Sequence, residues 1–280
     1  MSERWEATPR YPGPLATIGE VWRYRRLFGF IGDRALRKRY RRTLLGWLWL
    51  FINPLFPIAL RALVFGALLG VGSDGIPYFL FLLTGTVIWE VFAASLIWGT
   101  RSLEMQGDLS DQIYHPRAIL PIGNMAPALL NVALKIGVLL LAIIFYTLHD
   151  GRLYVRADVS LLWALAALAL AFLFALAISF FTSIWGETTR DMRFALNQLL
   201  SVWHLLTPIL YPLSQVPEEY RGWMLLNPLA IVVETFKWGL FGIGQFYPEA
   251  FAATAFAVGV LLLSGLTFFA WSEARTIEQR

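Results

Sequence analysis

The sequence contains no cysteine, which excludes disulfides, thiolate zinc sites and a cysteine nucleophile. Histidine is scarce: His115, His149 and His204 are the only three, and they fall in separate segments, so no metal triad is legible. Charged residues make up 15% of the chain, against about 25% in an average soluble domain. No G-x-x-x-x-G-K-S/T loop is present to cradle ATP phosphates, and there is no G-x-S-x-G, H-E-x-x-H or kinase signature. Nothing therefore reads as an enzyme active site. No internal repeat is visible, which weighs against a transporter built from inverted halves.

What the chain has instead is apolar length, with 58% hydrophobic residues. A spanning helix needs about 20 mostly apolar residues. Six runs qualify or nearly qualify, at about 44–70, 78–100, 118–148, 159–185, 195–213 and 250–271. The first begins too late for a secretory signal and is read as retained. The expected fold is therefore all-α and integral to the membrane. Residues 1–43 form an N-terminal segment, 44–271 a six-span domain and 272–280 a tail.

Six spans place both termini on one side, and charge chooses the side. Residues 1–42 carry 11 of the 23 Lys and Arg, including Arg37, Lys38, Arg39, Arg41 and Arg42. A nucleic-acid-binding arm could look like this, but the apolar run that follows favours a cytoplasmic flank. With the termini inside, 17 basic residues lie inside and 4 outside, Arg152, Arg156, Arg221 and Lys237. The positive-inside rule then predicts cytoplasmic termini. The cluster at Arg37–Arg42 would sit among anionic headgroups, worth about 1 kcal/mol per residue. Just before it, Val21, Tyr24, Phe28, Ile31 and Ala35 share one helical face, with Arg23, Arg26, Arg34 and Arg37 opposite. This predicts an amphipathic helix on the cytoplasmic leaflet, with a short soluble helix packed on a partner as the competing reading.

Two connections look functional. In the inside loop 101–121, Asp108 can cap a short helix and Pro116 can stop it. Leu109, Ile113 and Tyr114 would give that helix a small apolar face, either a docking peg or an ordinary turn. The outside segment 214–245 is too long and apolar for a plain loop, and Asn227-Pro228 divides it into halves too short to span. A hairpin of two short helices dipping into the outer leaflet fits, lining an aqueous path or lying passively on the membrane.

Arg61, Glu90 and Lys135 interrupt otherwise apolar spans at similar depth. Arg61 with Glu90 is the expected pair, Lys135 competing; either could serve transport or simply fix helix register.

Several stretches together carry a resemblance. "RYRRTLLGWLWLFINPL", "DGIPYFLFLLTGTVIWEVF", "YHPRAILPIGN", "TRDMRF" and "LLTPILYPLSQVPEEYRGWMLLNPLAIVVETFKWGLFG" resemble, in order, segments of the ABC-2 type permeases that export polysaccharides. The resemblance covers about residues 35–245. His115 and Ala118 depart from its loop pattern, where Phe and Glu are frequent, and Arg61 and Glu90 replace apolar or neutral positions. It implies a homodimer bound to two copies of a separate ATPase subunit that holds ATP and Mg, with no cofactor in this chain. The implied cargo is an undecaprenyl-linked glycan such as O-antigen or teichoic acid. A drug or small-lipid exporter and a membrane scaffold of glycan biosynthesis are the alternatives.

The resemblance also distributes roles. Leu109, Ile113, Tyr114, His115, Pro116 and Arg117, with Arg190 and Asp191, would couple to the ATPase. Pro217, Tyr220, Trp223, Asn227 and Pro228 would belong to outer gate helices. Trp47, Trp49, Phe51 and Phe56, with Trp203, His204 and Tyr211, are candidates for lining a sugar path; packing or a lipid-facing belt is the competing reading for each. Arg37–Arg42 would meet the lipid carrier's pyrophosphate.

Overall fold

A computed structural model of the chain describes residues 19, 22–40, 49–105, 117–189 and 191–278. Among them the regular structure is helical throughout, with no strand. We label the helices α1 (Arg26–Tyr40), α2 (Trp49–Arg61, continued as a π-helix over Ala62–Leu68), α3 (Tyr78–Thr100), α4 (Ile119–Asn124), α5 (Ala126–Asp150), α6 (Ser160–Thr188), α7 (Asp191–Leu205), α8 (Glu218–Leu225), α9 (Pro228–Phe241) and α10 (Pro248–Glu278). Four stretches are long and apolar enough to cross a membrane: Tyr78–Thr100, Ile119–Asp150, Ser160–Gly186 and Pro248–Ser272. The pair α8 and α9, bent by 101°, adds a broken span or a re-entrant loop.

The long helices gather around α3, with α10 packed on α6. Helix α3 is apolar on every face and is buried accordingly, packing on α5, α6 and α9. Small residues allow the close approach. Ala164, Ala167, Ala171 and Ala175 make a buried row on α6, and a Cβ added to Gly99 of α3 would lie 2.7 Å from Ser179 Cβ. Several buried hydroxyls are returned to their own helices, as at Thr84 to Leu80 O and Ser179 to Ala175 O, or paired, as Thr100 with Thr182 at 2.6 Å, while those of Ser95, Ser102 and Ser183 have no partner among the described residues. Asp158 prepares the start of α6 by accepting the Ser160 N–H at 2.8 Å. Hydrogen bonds from Ser160, then from Arg156, hold its carboxyl below the usual carboxylate range.

Gly239 fixes the seat of α9. A Cβ there would lie 2.7 Å from both Ala164 N and Ser160 O, and its carbonyl accepts the Ser160 hydroxyl at 2.9 Å. Those neighbours are backbone atoms and cannot rotate away. Gly239→Val is therefore expected to destabilise the chain by about 1–3 kcal/mol. Thermal unfolding in lipid nanodiscs checks this; an unchanged midpoint would contradict the packing.

Two sequence expectations change in detail. The run expected over 195–213 is helical only as far as Leu205. Thr207-Pro208 stops it, because a residue before proline is disfavoured in the α region and proline lacks an N–H. The apolar face of α1, expected on lipid, is turned onto the protein. Ile31 is fully buried with Ile119, Leu120 and Met125, and Tyr24, Leu27 and Phe28 pack beside it. Gly123 makes this possible, since a Cβ there would lie 2.9 Å from Ile31 Cγ2. Trp22, before α1, and Phe30 on it remain exposed.

Candidate functional site

A groove runs along the outside of the bundle between α3 and α7. At the α1 end it opens as a cavity of about 510 Å³ walled by Thr100, Arg101, Glu104, Arg193, Phe194 and Asn197. Glu104 there bridges Arg193 at 3.0 Å and Arg101 at 3.8 Å. Deeper in lies a second cavity of about 500 Å³, which shares Ile97 and Asn197 with the first, so the two adjoin. Its walls are Arg61 from α2, Trp89, Glu90, Ala93 and Ala94 from α3, and Leu200, Ser201 and His204 from α7.

The polar face of α7 follows from spacing. Asn197, Ser201 and His204 stand at i, i+4 and i+7, so they share one side, while Leu196 and Leu200 point into the core. His204 lies edge-on to Trp89, with ring centres 4.9 Å apart, and its Nε2, covered by its neighbours, has no hydrogen-bond partner among the described residues.

Within the groove the expected Arg61–Glu90 pair is not the one formed. Lys135 Nζ lies 2.8 Å from Glu90 Oε1, with the Lys135 side chain 5% exposed. The cause is packing: α5 lies along α3 and carries Lys135 directly to Glu90, while α2 touches α3 only sparsely. Arg61 stands where α2 passes from α-helix into π-helix, a local irregularity frequent at functional sites. Arg61 forms no ion pair or hydrogen bond among the described residues.

At the opposite end of the bundle, α8 and α9 form the bent pair. Asn227 caps α9: its Oδ1 accepts the Leu229 N–H at 3.1 Å and the Trp203 indole N–H at 2.9 Å, and its Nδ2 donates to Thr207 Oγ1 at 3.1 Å. One side chain thus ties the hairpin to the end of α7. A second tie is ionic. Lys237 is 1% exposed; its Nζ donates to Pro208 O at 2.6 Å, lies 3.3 Å from Glu234 Oε1 and sits 3.8 Å from the ring centre of Phe81. Lys237 so joins α9, the turn after α7 and the start of α3. Beside it a smaller cleft of about 280 Å³ is walled by Asp74, Ser214, Arg221, Glu234, Gln245 and Tyr247.

Comparison with known proteins places this architecture. The profile described as "ABC-2 type transporter" matches residues 26–241, from α1 to the last residue of α9. The chain belongs to the ABC-2 type transporter family. Among curated relatives, this ABC-2 chain is 28% identical over 225 residues to the O-antigen export system permease protein RfbA of Myxococcus xanthus, covering 80% of this chain and 83% of that protein. It is 25% identical over 204 residues to the polysialic acid transport protein KpsM of Escherichia coli, covering 72% and 76%. It is also 24% identical over 228 residues to the capsule polysaccharide export inner-membrane protein CtrC of Neisseria meningitidis, covering 78% and 80%.

The residues singled out from sequence occupy varied places in this ABC-2 chain. His204 lines the groove with Arg61 and Glu90. Trp203 does not: it packs edge-on against Phe92 and Phe174 in the core. Tyr211 is half-buried and donates its hydroxyl to Leu205 O at 2.9 Å. Phe56 is exposed on α2. The side chains of Trp49 and Phe51 on α2, and of Arg37, Lys38 and Arg39 on α1, lie outside what the structure describes, as do residues Arg41, Arg42 and Trp47 altogether. Leu109, Ile113, Tyr114, His115, Pro116 and Arg190 also lie outside the described residues. Arg117 is half-buried in the turn before α4, and Asp191 is exposed in the first turn of α7, where a carboxylate suits the helix dipole. Pro217 precedes α8, whose Tyr220 and Trp223 are exposed; Pro228 opens α9.

Glu234 and Lys237 were not singled out by sequence reasoning, which counted Lys237 as an outer loop charge. The signal that could have found them is an opposite-charge pair at i, i+3 inside the apolar run "LAIVVETFKWGLFG".

Proposed function

We propose that the chain is the membrane subunit of an ATP-driven exporter that carries a lipid-linked polysaccharide out of the cytoplasm across a bacterial inner membrane. The observation that carries this reading is the family match over residues 26–241, together with relatives named as permeases for O-antigen, polysialic acid and capsule export. Relatives of that kind favour glycan over drug or small-lipid cargo. A hydrophilic chain needs a lined path through about 30 Å of hydrocarbon. The groove between α3 and α7, with α2 on its flank, supplies polar and aromatic groups along its length. In this reading α2 and α7 complete six crossings, both termini are cytoplasmic, and two copies face each other across their grooves.

ATP and Mg belong to two copies of a separate ATPase subunit. That subunit docks at the α1 end, around residues 101–117 and 190–193. Closure of the ATPase pushes on the start of α7, where Arg193 holds Glu104 of the segment after α3. Motion reaches the far end through α7, whose terminal turn is tied to the hairpin by Asn227 and Lys237. The pair α8–α9 then serves as the outer gate.

Co-expression with a candidate ABC ATPase subunit tests the assembly. The account expects a stable complex with two copies of each chain by native mass spectrometry. A chain that purifies alone, with no ATPase, would move the reading to a scaffold of glycan synthesis.

A further inference from the structure

The deeper cavity of the groove carries an unbalanced positive charge. Arg61 and Lys135 face one carboxylate, Glu90, and Lys135 already occupies it at 2.8 Å. Among the described residues no other acidic side chain lines that cavity. Glu90 stands twelve residues from the start of α3 at Tyr78, about 18 Å along the helix at 1.5 Å per residue, so this charge is far from either end of that helix. A cation at such depth is expensive unless it meets water or an anion.

We propose that this part of the groove is an oxyanion-binding site: Arg61 takes a carboxylate or phosphate of the passing substrate, and His204 Nε2 stands beside it as a second hydrogen-bonding group. The inference rests on the export reading and names the chemistry of its cargo. A guanidinium offers two parallel donors that match a carboxylate or phosphate edge. His204 belongs to the same cavity wall as Arg61, and its Nε2, covered by its neighbours, has no partner among the described residues. Lys135 keeps Glu90 from competing, which leaves Arg61 free for an external anion. The anion has two sources, acidic sugars within the glycan or the diphosphate that joins glycan to lipid.

The test uses the chain with its ATPase in nanodiscs. Ligand binding is followed by the fluorescence of Trp89, which lines the same cavity, with Trp89→Phe as the blank. The probes are oligogalacturonate, maltoheptaose and farnesyl diphosphate. Oligogalacturonate is expected to bind about 10–100-fold more tightly than maltoheptaose, the size of a charge-assisted hydrogen bond. Arg61→Gln should abolish that preference and Arg61→Lys should keep most of it. Preference for farnesyl diphosphate alone would support the site and assign the anion to the carrier linkage. If Arg61→Gln does not fold, raising salt on the wild-type complex should weaken the acidic probe and leave maltoheptaose unchanged; no salt effect overturns the proposal. Equal binding of acidic and neutral saccharides also overturns it. So does Arg61→Gln that loosens the association of two copies while anion binding stays intact, because Arg61 would then be paired with a second copy. ATPase turnover that responds to neutral glycan, without any anion preference, sinks this inference and leaves the export reading standing.

Discussion

Glu234→Ala is expected to destabilise the folded chain by about 3–5 kcal/mol, the range for removing one partner of a buried ion pair. The change strands the Lys237 ammonium, 1% exposed, with only Pro208 O and the Phe81 ring for company. Lys237→Met in turn strands the Glu234 carboxylate, whose side chain is 3% exposed. The double variant Glu234→Gln with Lys237→Met removes both charges and should recover most of the loss, since an apolar filling of similar volume can match a buried pair. Its cost should appear elsewhere. The Lys237 ammonium donates the hydrogen bond that joins α9 to the Pro208 turn, so the double variant should loosen the hairpin. Hydrogen exchange across residues 206–241 would read that loosening while thermal unfolding reads stability. A double variant no better than either single change would show that the pair does not act as a unit.

Glu90→Gln is expected to cost about 2–4 kcal/mol, somewhat less, because Glu90 is 32% exposed to the groove and partly screened. The stranded group is Lys135, nearly enclosed on α5. Exchanging the charges, Glu90→Lys with Lys135→Glu, should restore expression and unfolding temperature. Exchanging Arg61 and Glu90 should not, because those two side chains do not pair. Rescue by the Arg61 exchange and failure of the Lys135 exchange would reverse the assignment of partners.

These two pairs show what could be read from the sequence. The depth of Glu90 and Lys135 follows from counting along their runs, since rise per residue is fixed. Their partnership does not, because it depends on how α5 rotates against α3, and nothing in either apolar run marks that angle. Lys237 was placed outside because it lies in a segment too short to span; its burial depends on Gly239, which lets α9 settle against α6. Helices α3 and α6 were plain from length and apolarity alone. Helix α7 was drawn too long because apolarity continues past Leu205 while the backbone stops at Thr207-Pro208. The aromatic candidates divide for a related reason. Trp203 and His204 are neighbours in sequence, but about 100° of helical turn sends the first into the core and the second to the groove wall.

The central claim is that this ABC-2 chain forms the path of a glycan exporter. The most direct measurement is ATP-dependent movement of undecaprenyl-linked glycan in proteoliposomes holding the chain and its ATPase, read by lectin or antibody access to the glycan on the far side. The account predicts glycan exposure that requires ATP and is blocked by a bulky label on a cysteine introduced at Ser201 in the groove. ATP-driven movement that ignores the blocked groove, or turnover stimulated only by small amphiphiles, would contradict it.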